Sequence, residues 1–305
     1  MIILGDNYSF TPYELERLEK KTHKILYIKR NDYTNTETIE EIRQAIYKER
    51  AAAIVLNIGR TPTPELIRFL TDLELQGIRF FTLETFMETF LYKCYIPYDA
   101  RDLSYLQNIR PFHPVHYFMK RILDITASIL LLFLSLPAML YAVYKIKKES
   151  PGPILYTQIR IGERNRPFTC YKFRSMHQDS HFDPYTRKND NRIFPFGHFM
   201  RKSRIDELPQ LVNVLKGDMH LIGPRAEWNI LVEQYEQELP YYNERHLVKP
   251  GITGWAQVNY PYGANIEDTR QKLMYDLYYI KYWNLFLEVK IALKTVLVML
   301  LKRGT

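Results

Sequence analysis

One long apolar stretch constrains the fold of this chain more than any other feature: residues 122–144 read ILDITASILLLFLSLPAMLYAVY. At about 1.5 Å of rise per residue, a helix over this stretch is just long enough to cross a hydrocarbon core of about 30 Å. Pro137 lies past its middle, where proline removes a helical hydrogen bond and favours a bend. Both flanks are basic, and lysine and arginine prefer the cytoplasmic side of a membrane. We therefore expect a re-entrant helix over about 120–145, with a straight single span as the alternative.

Three charged residues, Lys120, Arg121 and Asp124, lie at the start of this helix. Asp124 falls inside the apolar stretch, at i+4 from Lys120 and i+3 from Arg121, and side chains at these spacings meet on a helix surface. We expect the three residues to anchor the helix. A buried core helix of a soluble protein is disfavoured, because apolar residues run around the full helical circumference.

The first hundred residues alternate short apolar runs with helical patterns, which is typical of a small parallel α/β unit. The predicted strands cover residues 2–4, 25–28, 53–56 and 78–82, and the predicted helices cover 13–21, 37–49 and 64–75. The first strand ends in Gly5-Asp6-Asn7, which is not a dinucleotide-binding glycine motif, and no phosphate-binding loop follows. We expect a docking or regulatory domain over residues 1–112, a connector over 95–114, and a second domain over 113–305.

The basic charge of the chain is concentrated in one segment. Residues 145–225 hold 16 Lys and Arg against 8 Asp and Glu, so their surplus of eight equals the net charge of +8 of the whole chain. Such a concentration indicates an anionic partner, namely phosphates, anionic lipid or nucleic acid, with a solvated basic face as the alternative.

A carboxylate pair, Asp206 and Glu207, lies within the segment 201–217, RKSRIDELPQLVNVLKG. Pro209 is tolerated only in the first turn of a helix, so the helix is expected to start near Asp206 or at Ser203, and Gly217 is a suitable C-terminal stop. The predicted apolar face of this helix consists of Leu208, Leu211, Val212 and Leu215.

Two adjacent acids at a helix N-terminus, among Arg201, Lys202 and Arg204, suit phosphoryl transfer with a divalent cation. One carboxylate would attack phosphorus and the other would hold Mg²⁺. A purely structural alternative remains for one of the two, because Asp206 could be the N-cap of the helix.

Three further segments carry basic residues or tight turns. Residues 154–176 are expected to form two strands around a turn at 162–166. This hairpin supplies five basic residues: Arg160, Arg164, Arg166, Lys172 and Arg174. Gly223-Pro224-Arg225 predicts a turn that presents one arginine, and the segment 250–254, PGITG, is rich enough in glycine for close backbone approach to a ligand.

Together these segments closely resemble the bacterial sugar transferase family, the monotopic polyprenyl-phosphate phosphoglycosyl transferases. The resemblance runs from about residue 117 to 302. It rests on four stretches of sequence: MKRILD before the proline-containing helix, YKFRSM, RKSRIDELPQLVNVLKGDMHLIGPR, and HLVKPGITGWAQVNYPYG. DELPQLxNVLKGDM followed by GPR is highly specific for this family.

The resemblance implies a reaction and roles for individual residues. Asp206 would be the nucleophile, forming a phosphosugar–aspartate intermediate and releasing UMP from a UDP-sugar, and Glu207 would assist Mg²⁺ binding. A polyprenyl (undecaprenyl) phosphate would then take the phosphosugar, as the first membrane step in the assembly of a glycan such as O-antigen, capsule, exopolysaccharide or glycoprotein. The family's phosphate-binding residues fall on Lys172, Arg201 and Arg225.

Other parts of the chain follow or depart from the family pattern. Three more residues, in or beside the same motifs, complete the set that we expect to bind substrate: Arg174, Arg245 and Lys249. In small members the helix breaks at an adjacent Ser-Pro pair, whereas here one residue separates Ser135 from Pro137 at the predicted kink. The α/β unit looks like the domain that precedes the catalytic part in larger members.

The C-terminal residues 269–302 crowd aromatic residues before an apolar helix that carries lysines. Tyrosine and tryptophan favour the membrane interface, and an apolar helix with spaced lysines is typical of one that lies in that interface, with a core helix as the alternative. The aromatic residues are Tyr275, Tyr278, Tyr279, Tyr282, Trp283 and Phe286.

The expected fold class is therefore an α/β N-terminal domain plus an α+β monotopic membrane catalytic domain with a re-entrant, proline-broken helix and interfacial amphipathic helices. Its partners would be a UDP-sugar, a polyprenyl phosphate and membrane lipids, at the cytoplasmic face of the inner membrane. A nucleic-acid partner is disfavoured, because binding nucleic acid would not require the apolar helix or the interfacial aromatic residues. A lipid-binding scaffold without catalysis and a direct, single-displacement enzyme are the rival interpretations. The identity of the sugar and a homo-oligomeric state are left open.

Overall fold

The computed structural model describes residues 1–22, 24–28, 36–59, 62–97, 109–178, 180, 190–261, 263 and 265–300. The chain divides into two compact units, an N-terminal unit, Met1–Tyr95, and a C-terminal unit, Ile96–Thr305. The sequence placed this division between residues 112 and 113, after a connector whose residues 98–108 lie outside the described part of the chain.

The N-terminal unit is a small parallel α/β fold, as the alternating pattern predicts. Its four strands are all parallel in the order β2-β1-β3-β4. The elements are β1 (Ile2–Leu4), α1 (Pro12–Glu19), β2 (Leu26–Ile28), α2 (Thr36–Glu49), β3 (Ala53–Leu56), α3 (Pro64–Leu75), β4 (Arg79–Thr82), α4 (Leu83–Phe86) and a π-helical turn (Met87–Leu91). The apolar residues of β1 and β3 form the centre of the core with one face of α2 and α3.

Asn57 joins the carboxyl ends of the two central strands. Its side-chain amide donates to Gly5 O at 3.3 Å and Tyr8 O at 2.9 Å, and its side-chain oxygen accepts from Tyr8 N at 2.8 Å. The chain that leaves β1 is thereby tied to the chain that leaves β3.

The C-terminal unit begins with α5 (Pro114–Glu149), a helix of 36 residues that contains Pro137 in its interior. The helix continues through Pro137, so the predicted break does not interrupt it. Large apolar side chains such as Phe118 and Phe133 are exposed along it. Among the described residues it is the one helix long and apolar enough to cross a membrane.

The remaining elements follow α5 in a mixed α and β arrangement. They are β5 (Leu155–Ile161), β6 (Pro167–Phe173), α6 (Pro195–Ser203), α7 (Gln210–Lys216), β7 (His220–Ile222), α8 (Asn229–Glu238), β8 (Gly251–Thr253), α9 (Trp255–Asn259), α10 (Ile266–Lys281) and α11 (Leu285–Leu300). The predicted hairpin is present: β5 and β6 pair antiparallel from Leu155↔Phe173 to Ile161↔Pro167. A second, parallel pair joins β7 to β8.

The two C-terminal helices differ in their environment. On α10, Tyr275 and Tyr279 are fully buried, so the expectation that they lie at a membrane interface is wrong: this helix belongs to the core. On α11, Leu287 and Ile291 are buried, whereas most of the other large apolar side chains are exposed. An exposed apolar face of this kind is typical of a surface that meets another apolar phase.

Candidate functional site

Asp206 and Glu207 lie in a short 3₁₀ turn, Ile205–Glu207, immediately before α7. The sequence placed the pair at the N-terminus of the α-helix, and this is wrong in detail: α7 starts at Gln210, and Pro209 rather than Asp206 occupies the N-cap. Arg204 turns the chain into this segment with a left-handed backbone, φ 58°. The result is a pair of buried carboxylates on a tight turn.

The helix α7 buries a different face from the one predicted. Leu211 is buried as expected, but Val212 is exposed, and polar Gln210 and Asn213 take buried positions. Gly217 ends the helix at φ 94°, as the sequence predicts.

Asn213 positions Lys172 beside the acid pair. Its side-chain amide donates to Thr169 O at 2.7 Å, and its side-chain oxygen accepts from Tyr171 N at 3.0 Å. These two bonds fasten α7 to β6 directly before Lys172. The Lys172 ammonium then donates to Glu207 Oε1 at 3.1 Å.

Two glycine-containing turns position Arg225 by packing against each other. Gly223 N donates to Thr253 O at 2.9 Å, and Gly251 N donates to Pro224 O at 2.8 Å. A Cβ atom on Gly251 would overlap the backbone nitrogen of Gly223. The close backbone approach expected of the PGITG segment is therefore made to Gly223, next to the arginine turn.

Three cationic side chains contact the same carboxylate oxygen of Glu207. Its Oε1 lies 2.9 Å from Arg225 Nη2 and 3.7 Å from Arg204 Nη1, in addition to the contact with Lys172. Burial alone would raise the pKa of Glu207, but Arg225, Lys172 and Arg204 outweigh it and hold that pKa well below its ordinary value. Glu207 is therefore a fixed anion.

Asp206 has the opposite electrostatics. Burial, reinforced by the neighbouring Glu207, raises its pKa to about 6 against the opposing effect of Lys172, Arg201 and Arg204. Its Oδ1 atom is buried and has no hydrogen-bond partner among the described residues. Asp206 is thus a desolvated carboxylate with a free oxygen, next to a neutralised one.

The two carboxylates could supply part of the ligand set of a magnesium ion. Within the described residues, no three His, Cys, Asp or Glu side chains cluster as a complete protein metal site. Mg²⁺ is commonly bound by one or two carboxylates, with water and substrate phosphates supplying the remaining ligands. The unpartnered Oδ1 of Asp206 and the adjacent Glu207 provide such a partial set.

Two other residues predicted to bind substrate, Arg201 and Lys249, contact other groups of the protein. Arg201 Nε donates to Ser175 Oγ at 2.9 Å, and its charge acts on Asp206. Lys249 lies with its ammonium 5.2 Å from the centre of the Tyr117 ring.

Arg174 and Arg245 are buried and bind protein groups. Arg174 donates to Pro153 O at 2.7 Å and to Ser150 Oγ at 2.6 Å, and so holds the loop that follows α5. Arg245 lies behind Arg225 and donates to its backbone oxygen at 2.7 Å. The structure therefore does not bring either guanidinium to the carboxylate pair.

The predicted helix anchor is linked to a buried polar network. The Lys120 ammonium lies 2.9 Å from Glu288 Oε2 and 3.7 Å from Asp124 Oδ1. Asp124 Oδ2 lies 2.5 Å from His220 Nδ1, and Arg121 donates to Leu215 O at 2.8 Å. At the predicted kink, Ser135 Oγ donates to Leu132 O at 3.4 Å, within the helix.

Sequence reasoning did not assign Arg160 and Gln210 to the site. Both line a small pocket next to the acid pair, together with Cys170, Lys172, Met219, Arg225, Ala226 and Gly251. Strand alternation could have identified Arg160, because its hairpin pairing puts it on the same face as Lys172. No comparable pattern marks Gln210.

Comparison with known proteins identifies the C-terminal unit. The sequence profile of the family described as "Bacterial sugar transferase" matches residues 115–302. The chain is 44% identical over 231 residues to the UDP-N-acetylgalactosamine-undecaprenyl-phosphate N-acetylgalactosaminephosphotransferase of Aeromonas hydrophila, covering 75% of this chain and 54% of that protein.

Two further relatives carry related names. A UDP-glucose:undecaprenyl-phosphate glucose-1-phosphate transferase of Caulobacter vibrioides is 39% identical over 208 residues, 66% of this chain and 78% of that protein. The undecaprenyl-phosphate galactose phosphotransferase of Salmonella typhimurium is 40% identical over 204 residues, 61% of this chain and 41% of that protein. The chain spans about half the length of the Aeromonas and Salmonella relatives.

Proposed function

The chain belongs to the bacterial sugar transferase family, and on that premise we propose that it transfers a sugar 1-phosphate from a UDP-sugar to undecaprenyl phosphate, with release of UMP. The family match spans residues 115–302, which include the acid pair, Lys172 and Arg225. The relatives are named for transfers of N-acetylgalactosamine, glucose and galactose phosphates, so the proposal extends to the reaction type and leaves the sugar to experiment.

One observation carries the proposal: a buried carboxylate with an unpartnered oxygen, Asp206, lies next to a carboxylate that three cations neutralise, Glu207. A pKa of about 6 leaves Asp206 mostly ionised at neutral pH, which a nucleophile requires. Lys172 and Arg225 are in place to neutralise phosphate oxygens.

The chemistry we propose has two displacement steps. A carboxylate oxygen of Asp206 attacks the phosphorus that bears the sugar, a new P–O bond forms, and the bond to the bridging oxygen breaks. UMP leaves with that electron pair. An oxygen of undecaprenyl phosphate then attacks the same phosphorus, which frees the carboxylate and yields undecaprenyl diphosphosugar.

We propose Mg²⁺ as the cofactor, held by Glu207 together with phosphate oxygens of the donor. A bound magnesium ion supplies charge neutralisation for those phosphates. Lys172, Arg225 and Arg201 orient the donor so that its phosphorus faces Asp206.

We further propose that the enzyme sits in the cytoplasmic leaflet of the inner membrane through α5 and α11. The exposed apolar side chains of both helices support this location. Basic residues flank the apolar part of α5 at both ends, Lys120 and Arg121 before it and Lys145 and Lys147 after it, which favours a re-entrant path. The exposed apolar face of α11 supports an interfacial position.

UMP release from a panel of UDP-sugars tests the proposal. Detergent-solubilised protein with Mg²⁺ and undecaprenyl phosphate should release UMP with at least one sugar. Asp206→Asn should lose this activity, whereas Asp72→Asn, an exposed aspartate of α3, should retain it. Equal release by wild type and Asp206→Asn would exclude Asp206 as the nucleophile. No release with any sugar would refute the proposed reaction.

The two-step path has its own test. Labelled UMP should exchange into the UDP-sugar in the absence of lipid, because the first step is reversible and needs no acceptor. Turnover with lipid but no exchange without it would favour direct attack by the lipid phosphate.

A further inference from the structure

Arg245, expected from the sequence to bind substrate, lies in the protein interior with a fully enclosed partner. Arg245 is 5% exposed and Asp276 is 2% exposed. Arg245 Nη2 lies 2.9 Å from Asp276 Oδ2, and Nη1 donates to the Tyr242 hydroxyl at 2.8 Å. This guanidinium is therefore held in one orientation by two buried groups.

The same guanidinium reaches the backbone of the residue that contacts Glu207. Arg245 Nη2 donates to Arg225 O at 2.7 Å, while the Arg225 side chain donates to Glu207 Oε1 at 2.9 Å. The next carbonyl, that of Ala226, accepts from the Arg160 guanidinium. Two arginines, the buried Arg245 and the half-buried Arg160, thus hold the chain at and just after Arg225.

Helix α10 supports this turn at two points. Asp276 holds it through Arg245, and three residues further on the Tyr279 hydroxyl donates to Ile222 O at 2.9 Å. Residues three apart share one face of a helix, so α10 presents a polar edge to the arginine turn within an otherwise buried surface.

We propose that Arg245 and Asp276 form a positioning pair that sets Arg225 against Glu207, an inference that rests on the proposed phosphosugar transfer. Arg225 is the least buried member of the chain of contacts, with 31% of its side chain accessible, so burial alone does not fix its place. Its carbonyl, held by Arg245, fixes the point from which the side chain extends. Displacing a catalytic group by about 1 Å can reduce turnover about 100-fold.

A purely structural role for the buried pair predicts a different result from a positioning role. Loss of general stability would reduce activity by the same factor whether or not Arg225 is present. Loss of positioning acts only through Arg225, so it should disappear once that side chain is removed. A double-mutant cycle separates the two, because only residues that act through one another fail to add.

The cycle compares Arg245→Met, Arg225→Ala and the double variant in the full chain, with UMP release as the assay. We expect Arg245→Met to lower kcat about 10- to 100-fold with KM changed less than about 3-fold, and to lower it less than about 2-fold further in the Arg225→Ala background. Asp276→Asn, a nearly isosteric change, should show a smaller loss with the same dependence on Arg225. The same factor in both backgrounds would overturn the proposal.

The chain offers a matched control for loss of a buried ion pair. Arg192 and Asp190 form a comparable buried pair, 2.6 Å apart, in a different segment, just before α6. Arg192→Met should lower kcat for UMP release by the same factor in the wild-type background and in the Arg225→Ala background. Coupling as strong as that of Arg245→Met would assign the effect to general stability and contradict the proposal.

Amide hydrogen exchange tests the positioning without substrate, so its outcome is independent of the proposed reaction. In Arg245→Met the amides of Gly223 and Gly251, which donate across the two turns, should exchange at least about 10-fold faster than in wild type. In Arg225→Ala they should keep their wild-type rates. Unchanged exchange in Arg245→Met would overturn the positioning role even if turnover fell. If wild type released no UMP while the amides of Arg245→Met exchanged faster, only the proposed reaction would be refuted, and the positioning role would stand.

Discussion

The two adjacent carboxylates should respond to neutralisation with opposite changes in stability. Asp206→Asn removes a buried charge whose pKa is raised from 3.8 to about 6, a difference that corresponds to about 3 kcal/mol against the folded state above pH 6. The asparagine amide must find partners in the same buried place, at about 1 kcal/mol. The net expectation is a gain of about 2 kcal/mol, or about 4–8 °C in Tm for a unit of this size.

The pH dependence fixes the sign of the Asp206 effect. A carboxyl whose folded pKa lies above its unfolded pKa holds its proton when folded, so its burial opposes folding only as pH rises through that range. The advantage of Asp206→Asn should therefore shrink by about 2 kcal/mol between about pH 7.5 and about pH 4.5. No other group differs between the two proteins, so the difference isolates this residue.

Glu207→Gln is the matched variant with the opposite expectation. It leaves Lys172 and Arg225 without their shared anion, and removing one partner of a buried pair costs about 3–5 kcal/mol. The pKa of Glu207 lies below its ordinary value, so its stabilising charge persists as the pH falls towards the acid range and is lost only as pH falls through that lowered value. The variant should therefore be less stable than wild type at about pH 4.5 as well as at neutral pH.

Tryptophan fluorescence measures these changes in the right part of the chain. All three tryptophans, Trp228, Trp255 and Trp283, belong to the C-terminal unit. Thermal unfolding of metal-free protein in nanodiscs, followed at these residues, gives the three Tm values across pH. Equal signs for Asp206→Asn and Glu207→Gln, or an Asp206→Asn effect independent of pH, would refute the electrostatic assignment of the pair.

Four further changes test other parts of the structure. Gly251→Ala should cost about 3 kcal/mol by denaturation, because its Cβ would overlap the backbone of Gly223; a neutral result would contradict the packing of the two turns. Asn213→Ala should cost about 3 kcal/mol by the same assay, since it removes three hydrogen bonds of about 1 kcal/mol each. Pro137→Leu should straighten α5 and move one flank across the membrane, measured by cysteine accessibility; both flanks remaining cytoplasmic would count against the proposed bend. Deletion of residues 1–95, the N-terminal unit, should leave UMP release in membranes, and its complete loss would show that this unit helps to build the site.

Local patterns predicted the elements of this fold with good accuracy, because their causes are local. The strands of the N-terminal sheet and the hairpin follow from runs and alternation of apolar residues. The observed bounds of the N-terminal strands differ from the predicted ones by at most one residue, whereas the hairpin ends at Phe173, three residues earlier than predicted. Asp206 and Glu207 were proposed because a carboxylate pair among cations is visible in sequence, and Lys172 because of the basic hairpin and the family resemblance. Their contact depends on side chains brought together by folding.

The partner of a buried charge could not be predicted from sequence. Arg245 and Arg174 carry the same charge as Arg225, and only the fold decides that they bind backbone carbonyls while Arg225 binds Glu207. The burial of Tyr275 and Tyr279 is likewise decided by the fold and not by the local sequence. Both lie on a helix whose polar residues pair inside the core, so the composition of the segment resembles that of an interfacial one.

The start of the apolar helix α5 connects two sequence motifs that lie far apart in the chain. Arg121 donates to backbone carbonyls of Val214 and Leu215 at the end of α7, and α7 directly follows the acid pair. One turn further along α5, Asp124 contacts His220 and accepts from the Leu221 amide, on the strand that leads to Arg225. Arg121 and Asp124, two of the three residues predicted to anchor the helix, thereby join the two segments that carry Glu207 and its arginine. Changing the seating of α5 should therefore alter the site itself, so loss of the anchor residues should reduce turnover even in protein that remains bound to the membrane.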